Sequence, residues 1–215
     1  MDKHKFTAQE ISGVYRAIAE RRDMRHFIDK PIPAATLEKL LQAAHQAGSV
    51  GLMQPWRFIR ITHAPLRQAI HQQVEEERQL TAKALGERQS DFMKLKVEGI
   101  LECAELLIVA LADKREQHIF GRRTLPEMDI ASTACAIQNI WLAARAEGLG
   151  MGWVSLFEPE KLSSLLKMPE GSLPIAILCL GHVEEFYSRP MLELENWAKA
   201  RALEEFVSEN YWPAD

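Results

Sequence analysis

The sequence predicts an α+β fold with helices around a modest sheet, and three observations carry that prediction. Apolar runs of strand length stand at residues 58–62, 106–112, 152–157 and 174–181. Between them lie longer segments whose apolar residues recur at helical spacing. Helical segments outnumber strands, and no internal repeat, low-complexity tract or linker interrupts them, so residues 1–215 read as one domain.

The elements follow in order. Thr7 and Glu10 have capping-box spacing, and Ile11, Val14, Tyr15 and Ile18 then recur at i, i+3, i+4 and i+7. This amphipathic helix delivers Arg21 and Arg22 at its C-terminal end, where the helix dipole favours cations. Pro31 and Pro33 interrupt the chain before a second helix marked by Leu37, Leu40, Leu41 and Ala44. A small-residue loop, Gly48-Ser49-Val50-Gly51, leads to Gln54-Pro55-Trp56 and the first strand. Residues 65–99 are helix-compatible but polar and predict a long helix and a mobile or capping segment. The uninterrupted run 106–112 fits a buried central strand, and the charged stretch 113–128 an irregular crossing loop. Asp129 is placed to N-cap the strongest helix, 130–147, which Gly148 ends. Ala131, Ala134, Cys135, Ala136, Ala143 and Ala144 leave that helix small-sided, so another helix can pack close. After strand 152–157 come a short helix with Pro159 in its first turn, strand 174–181 and a terminal helix at 197–207.

Composition excludes several classes of function. The 215 residues are 47% hydrophobic and 26% charged, the balance of a soluble globular chain with a sizeable core. A net charge of −4 gives no reason to expect nucleic acid or an anionic membrane as partner. Cys103, Cys135 and Cys179 have no CxxC or Cys/His spacing and read as reduced, mostly buried thiols. The opening Met1-Asp2-Lys3-His4-Lys5-Phe6 is polar, and no apolar run is long enough to span a bilayer, so the expected location is the cytoplasm. His26, His45, His63, His71, His118 and His182 show no ligand spacing, and no metal site is expected.

Arg21-Arg22-Asp23-Met24-Arg25 is the most informative stretch. Planar guanidiniums stay ionised and match phosphate oxygens. Asp23 would repel the same anion, so it either braces the arginines or is placed for chemistry; a solvated helix end is the plain alternative. Trp56, Trp141 and Trp153 suit a core, Trp141 above all, while Met53 suits a gap-filler. Ser155, between Val154 and Leu156, suits a strand serine bonded to backbone.

Taken together, these segments resemble the FMN-dependent nitroreductase family over nearly the whole chain. The residues that carry the resemblance are the Arg21–Arg25 cluster, the stretch from Ser49 to Trp56, the helix from Cys135 to Gly148, Gly152-Trp153-Val154-Ser155, and Arg189 after the last strand. Within the family the chain is similar to the 5,6-dimethylbenzimidazole synthases, because ordinary nitroreductases usually carry Ser where Asp23 stands. Gly48, where many members have Pro, and residues 114–119 depart from the pattern.

The resemblance implies a nitroreductase-like fold: a central, mostly antiparallel sheet surrounded by helices, in an intertwined homodimer with FMN at the interface. Arg21, Arg22 and Arg25 would hold the flavin phosphate and Arg189 would join them. Val50, Gly51, Met53 and Gln54 would contact the ring system, and the strand with Trp153 and Ser155 would run along its edge. The implied reaction is oxygen-dependent fragmentation of reduced FMN to 5,6-dimethylbenzimidazole, the lower ligand of vitamin B12, and erythrose 4-phosphate. FMN is then substrate, supplied in reduced form by a separate NAD(P)H-flavin reductase. Asp23 would act as general acid or base, and Ser155 would hydrogen-bond a flavin or peroxide oxygen. The alternatives are an NAD(P)H-dependent nitro or quinone reductase that recycles FMN, a corrin cobalt reductase, and a non-catalytic FMN binder. No GxGxxG follows a strand, so a Rossmann site has no support.

Overall fold

A computed structural model describes residues 3–212; Met1 and Asp2 of the polar opening, and residues 213–215, lie outside the described residues. Four strands, β1 (Trp56–Arg60), β2 (Glu105–Leu111), β3 (Gly150–Val154) and β4 (Leu173–Gly181), form one sheet in the order β1-β2-β4-β3. Every neighbouring pair is antiparallel. Helices α2 (Ala34–His45) and α5 (Met128–Ala146) cover one face, where Leu37, Leu40, Ile137 and Ile140 meet Leu107, Val109, Leu178 and Leu180. Helices α3 (Ala64–Ala84) and α6 (Pro159–Leu165) cover the other, where Ile70, Val74 and Leu162 meet Leu106, Ile108 and Ile177. Successive residues of β2 therefore enter opposite cores, which is why its sequence is apolar without alternation. Each such buried Leu or Ile contributes about 1.5–3 kcal/mol relative to leaving it in water.

Helix α1 (Ala8–Glu20) begins at the expected capping box: Thr7 Oγ1 accepts the Glu10 N–H at 3.3 Å, and Glu10 Oε2 accepts the Thr7 N–H at 2.8 Å. Its apolar stripe is uncovered, with Val14, Tyr15 and Ile18 half or more exposed. The polar stretch 65–99 supplies the long α3 and a short α4 (Gln89–Lys94). Among the described residues no helix is long and apolar enough to cross a membrane.

Four expectations are corrected. The first strand starts two residues early, because the ladder opens at Trp56–Leu111, just after the Pro55 carbonyl takes the Ala112 N–H at 2.8 Å. The third strand occupies 150–154, since its ladder with β4 ends at Val154–Ile177, and Ser155 therefore lies in the turn beyond it. Glu127, not Asp129, is the N-cap residue of α5; Asp129 sits inside the first turn, buried against Arg115 at 2.9 Å and Arg122 at 3.0 Å. The helix expected at 197–207 does not form. A short α7 (Met191–Leu194) precedes that stretch, and a single 3₁₀ turn at Leu203–Phe206 lies within it. Leu203, Phe206 and Val207 are exposed, so no packed face supports a longer helix. Of the three free thiols, Cys103 and Cys179 are buried and Cys135 is exposed.

Candidate active site

β3 is an edge strand, and the chain leaving α1 runs beside it. Asp23 bridges Met151 in parallel fashion, with the Met24 N–H donating to the Met151 carbonyl at 3.0 Å. The next outward donor of β3, the Trp153 N–H, goes to Asp23 Oδ1 at 2.9 Å. The side chain thus satisfies a backbone group that an edge would otherwise leave unpaired. Asp23 Oδ2 accepts from Arg25 Nη2 at 2.5 Å, and that nitrogen also donates to the Trp153 carbonyl at 2.8 Å. Gly152 leaves room for this: a Cβ there would stand 2.2 Å from the Met24 carbonyl oxygen and 2.6 Å from Arg25 Nη1. Burial raises the Asp23 pKa above the ordinary carboxylate value, outweighing the Arg25 charge, the Trp153 N–H and Arg21, which all pull it down.

Asp23, Arg25, Trp153 and Ser155 line one cavity of about 200 Å³, whose apolar wall includes Phe92, Leu95 and Trp197. The Arg88 guanidinium lies 3.5 Å from the Trp197 ring centroid and donates to the Trp197 carbonyl at 2.9 Å. Phe92 completes the contact at 6.0 Å between ring centroids. Residues that follow α7 are thereby fastened to α4 beside the carboxylate.

The four arginines are used differently. Arg22 donates to the carbonyls of Ala19 and Arg21, both at 2.8 Å, and of Tyr187 and Ser188 at 3.1 and 3.3 Å, which clamps the loop after β4 to the end of α1. Arg21 stacks 4.5 Å from the Trp141 ring, and Trp141 itself is core, donating Nε1–H to the Arg22 carbonyl at 3.2 Å. Arg25 is buried and Arg189 is exposed.

The Val50–Gln54 loop is fixed elsewhere. The Val50 N–H donates to Ser132 Oγ at 3.0 Å and the Gln54 N–H to Ser49 Oγ at 3.1 Å. Gly51 has φ +52°, and a Cβ there would lie 2.9 Å from the Phe120 carbonyl oxygen. Met53 and Gln54 line a separate cleft of about 560 Å³ with His45, Trp56 and Arg57. β1 and β3 are opposite edges of the sheet, three strand spacings apart, or about 14 Å. One chain does not bring Met53 and Gln54 into the Asp23 cavity.

Sequence reasoning missed Phe92, Trp197 and Tyr187. The Tyr187 hydroxyl accepts the Arg25 N–H at 3.3 Å and lies 2.7 Å from His26 Nδ1, and burial raises its pKa. Its signal was an aromatic pair, Phe186-Tyr187, just before Arg189. His71, Glu75 and Glu98 also come together, their ligand atoms within 4.8 Å of one another. Arg78 lies 3.3 Å from Glu75 and Lys96 lies 3.9 Å from Glu98, so cations already balance these carboxylates.

An antiparallel four-stranded sheet with helices on both faces and a carboxylate cavity at its β3 edge defines the nitroreductase-like α+β fold. The chain belongs to the nitroreductase family, whose family model matches residues 18–182, and it is an oxidoreductase. It is 38% identical over 186 residues to the 5,6-dimethylbenzimidazole synthase of Rhodospirillum rubrum, covering 84% of this chain and 87% of that protein. It is 36% identical over 179 residues to the enzyme of the same name from Rhodobacter capsulatus, covering 82% and 86%. Among solved structures it is similar to oxidized iodotyrosine deiodinase bound to FMN and 3-iodo-L-tyrosine, with a TM-score of 0.71, 19% identity, and 93% and 100% of the two chains covered.

Proposed function

We propose that this protein is a 5,6-dimethylbenzimidazole synthase that fragments reduced FMN with molecular oxygen, releasing erythrose 4-phosphate. The observation that carries this reading is the Asp23 carboxylate, pinned by Trp153 and Arg25 in the same cavity as Ser155. The relatives named above supply the reaction.

The residues fit a flavin. An aromatic and aliphatic wall meets a carboxylate and a hydroxyl, as a planar polar-edged ring requires. The cavity in one chain, about 200 Å³, is smaller than the roughly 300 Å³ or more of a complete small-molecule site. A second copy supplies the remainder in a homodimer, where the uncovered α1 stripe is buried and the partner subunit's Gln54 loop reaches the Asp23 cavity. Arg21 and Arg189 face the phosphate.

The bound reduced flavin supplies the electrons and the carbon framework. Asp23 takes protons from ring and ribityl positions, and its raised proton affinity makes it a stronger base than an ordinary carboxylate. Ser155 donates a hydrogen bond to developing negative charge on oxygen. Phe92, Leu95 and Trp197 exclude water, which strengthens both interactions. The single domain works in the cytoplasm with a separate NAD(P)H-flavin reductase.

The test mixes purified protein with reduced FMN in air and separates the products. Dimethylbenzimidazole is expected with the native chain and not with Asp23→Ala. Quantitative return of intact FMN overturns the reading and favours an NAD(P)H-dependent nitro or quinone reductase.

A further inference from the structure

We infer that Arg25, unlike Arg21, is no phosphate ligand but the positioning residue that fixes the Asp23 carboxylate. The inference rests on the Asp23 cavity being the flavin site.

The geometry of its donors is the first argument. The Arg25 side chain is 9% exposed, and Nη2 is committed to Asp23 Oδ2 and the Trp153 carbonyl. Nε and Nη1 are enclosed by protein with no hydrogen-bond partner. Nη1 lies against Gly152, 2.6 Å from where a Cβ would stand. A phosphate is gripped by two adjacent N–H groups on an open side of the fork, and Arg25 offers none.

Charge is the second argument. A buried guanidinium with a single anionic partner is strongly destabilised when that partner is removed. Asp23 is the only carboxylate paired with Arg25 among the described residues, so each group holds the other. The groups facing Asp23 are Arg25, Arg21 at the end of α1 and Tyr187 from the loop after β4. Of these, only Arg25 bonds the carboxylate directly. With Oδ1 on Trp153 and Oδ2 on Arg25, the carboxylate cannot rotate, and its 42% exposed remainder faces the cavity.

Two readouts that do not use product formation test this. Oxidised FMN and riboflavin are titrated by flavin fluorescence, and the Asp23 carboxyl is titrated by infrared difference against Asp23→Asn. For Arg25→Met the ratio of FMN to riboflavin affinity is expected to stay within about twofold of native, because no phosphate contact is lost. The carboxyl titration is expected to move up by about 1–3 pH units as its cation disappears. Arg25→Lys keeps a cation but loses the planar fork, so the titration is expected to move up less, and this variant serves alone if the Met variant does not fold. Arg21→Ala shows the opposite pattern: a collapsed affinity ratio and a carboxyl that moves less than in Arg25→Met, since Arg21 does not bond it. A collapsed ratio in the Arg25 variants with an unmoved carboxyl overturns the inference. A native chain that returns reduced FMN intact in air overturns the functional reading, while the carboxyl titration still decides the role of Arg25.

Discussion

Arg88 and Trp197 clasp each other beside the Asp23 cavity, the guanidinium 3.5 Å from the indole centroid and 2.9 Å from the Trp197 carbonyl. The contact joins the turn that leads into α4 to residues with little other support, since Trp197 lies outside any helix and Leu192 and Leu194 are exposed. Arg88→Ala should cost no more than about 1 kcal/mol of global stability, the scale of an exposed cation–π pair. Its local effect should be larger. Backbone hydrogen exchange over 191–198 should speed up and flavin should dissociate faster, while exchange in β2 stays unchanged. Equal exchange in native and variant would show that the clasp does not hold the wall.

Asp129 joins two arginines that would otherwise be unpaired inside the crossing loop. Its side chain is 4% exposed, and Arg115 and Arg122 are both mostly covered. Removing one member of a buried ion pair costs about 3–5 kcal/mol, so Asp129→Ala should lower the denaturant midpoint markedly. The loop it anchors carries Phe120, which sits against Gly51. Flavin affinity should therefore fall in refolded variant, with the Asp23–Arg25 contact intact in its crystal structure. A midpoint within experimental error of native would refute the anchoring role.

This residue also shows what a sequence does and does not disclose. Thr7 and Glu10 were legible as a cap because both partners lie within one turn. Asp129 looks like a cap by position, but its true partners, Arg115 and Arg122, are presented by loop geometry with no periodicity. β2 was legible because burial on both faces writes itself as an unbroken apolar run. The 197–207 segment carries helix-compatible residues, yet no surface in the chain receives them, so local propensity alone does not fold it. The site divides in the same way. Asp23 stood out as a lone carboxylate among arginines, whereas the separate fates of Arg22 and Arg25 depend on a carbonyl 165 residues away at Tyr187 and on one 128 residues away at Trp153, beside Gly152.

The uncovered stripe of α1 predicts a dimer-breaking substitution. Tyr15 is 69% exposed on one chain, beside half-exposed Val14 and Ile18. A Tyr15→Glu change places a charge in the proposed interface, where burying it unpaired is costly. Light scattering should report dimer for the native protein and monomer for the variant, with circular dichroism unchanged. FMN affinity should drop at least tenfold (about 1.4 kcal/mol), since the proposed site is completed by the second copy. A monomeric variant with native FMN affinity would place the whole flavin site within one chain.

The last prediction concerns pH. Partial burial beside Trp153 and Arg25 holds the folded-state pKa of Asp23 above its ordinary value, so folding favours the neutral carboxyl. Its contribution to stability is therefore fully present below about pH 3.9 and is lost as pH rises through the raised value. Catalysis runs the other way, because a base works only when ionised. Product formation should fall as pH falls through the raised value, giving an acid limb whose midpoint lies above about 3.9. Ser155→Ala should lower the rate without moving that midpoint, since the hydroxyl does not titrate in this range. A limb at or below the ordinary aspartate value would mean that the bound state restores full solvation or charge compensation to Asp23. A rate that rises on acidification would make the carboxyl a proton donor instead. The same burial that disfavours the ionised carboxylate in the fold raises its proton affinity, which is what the proposed base requires.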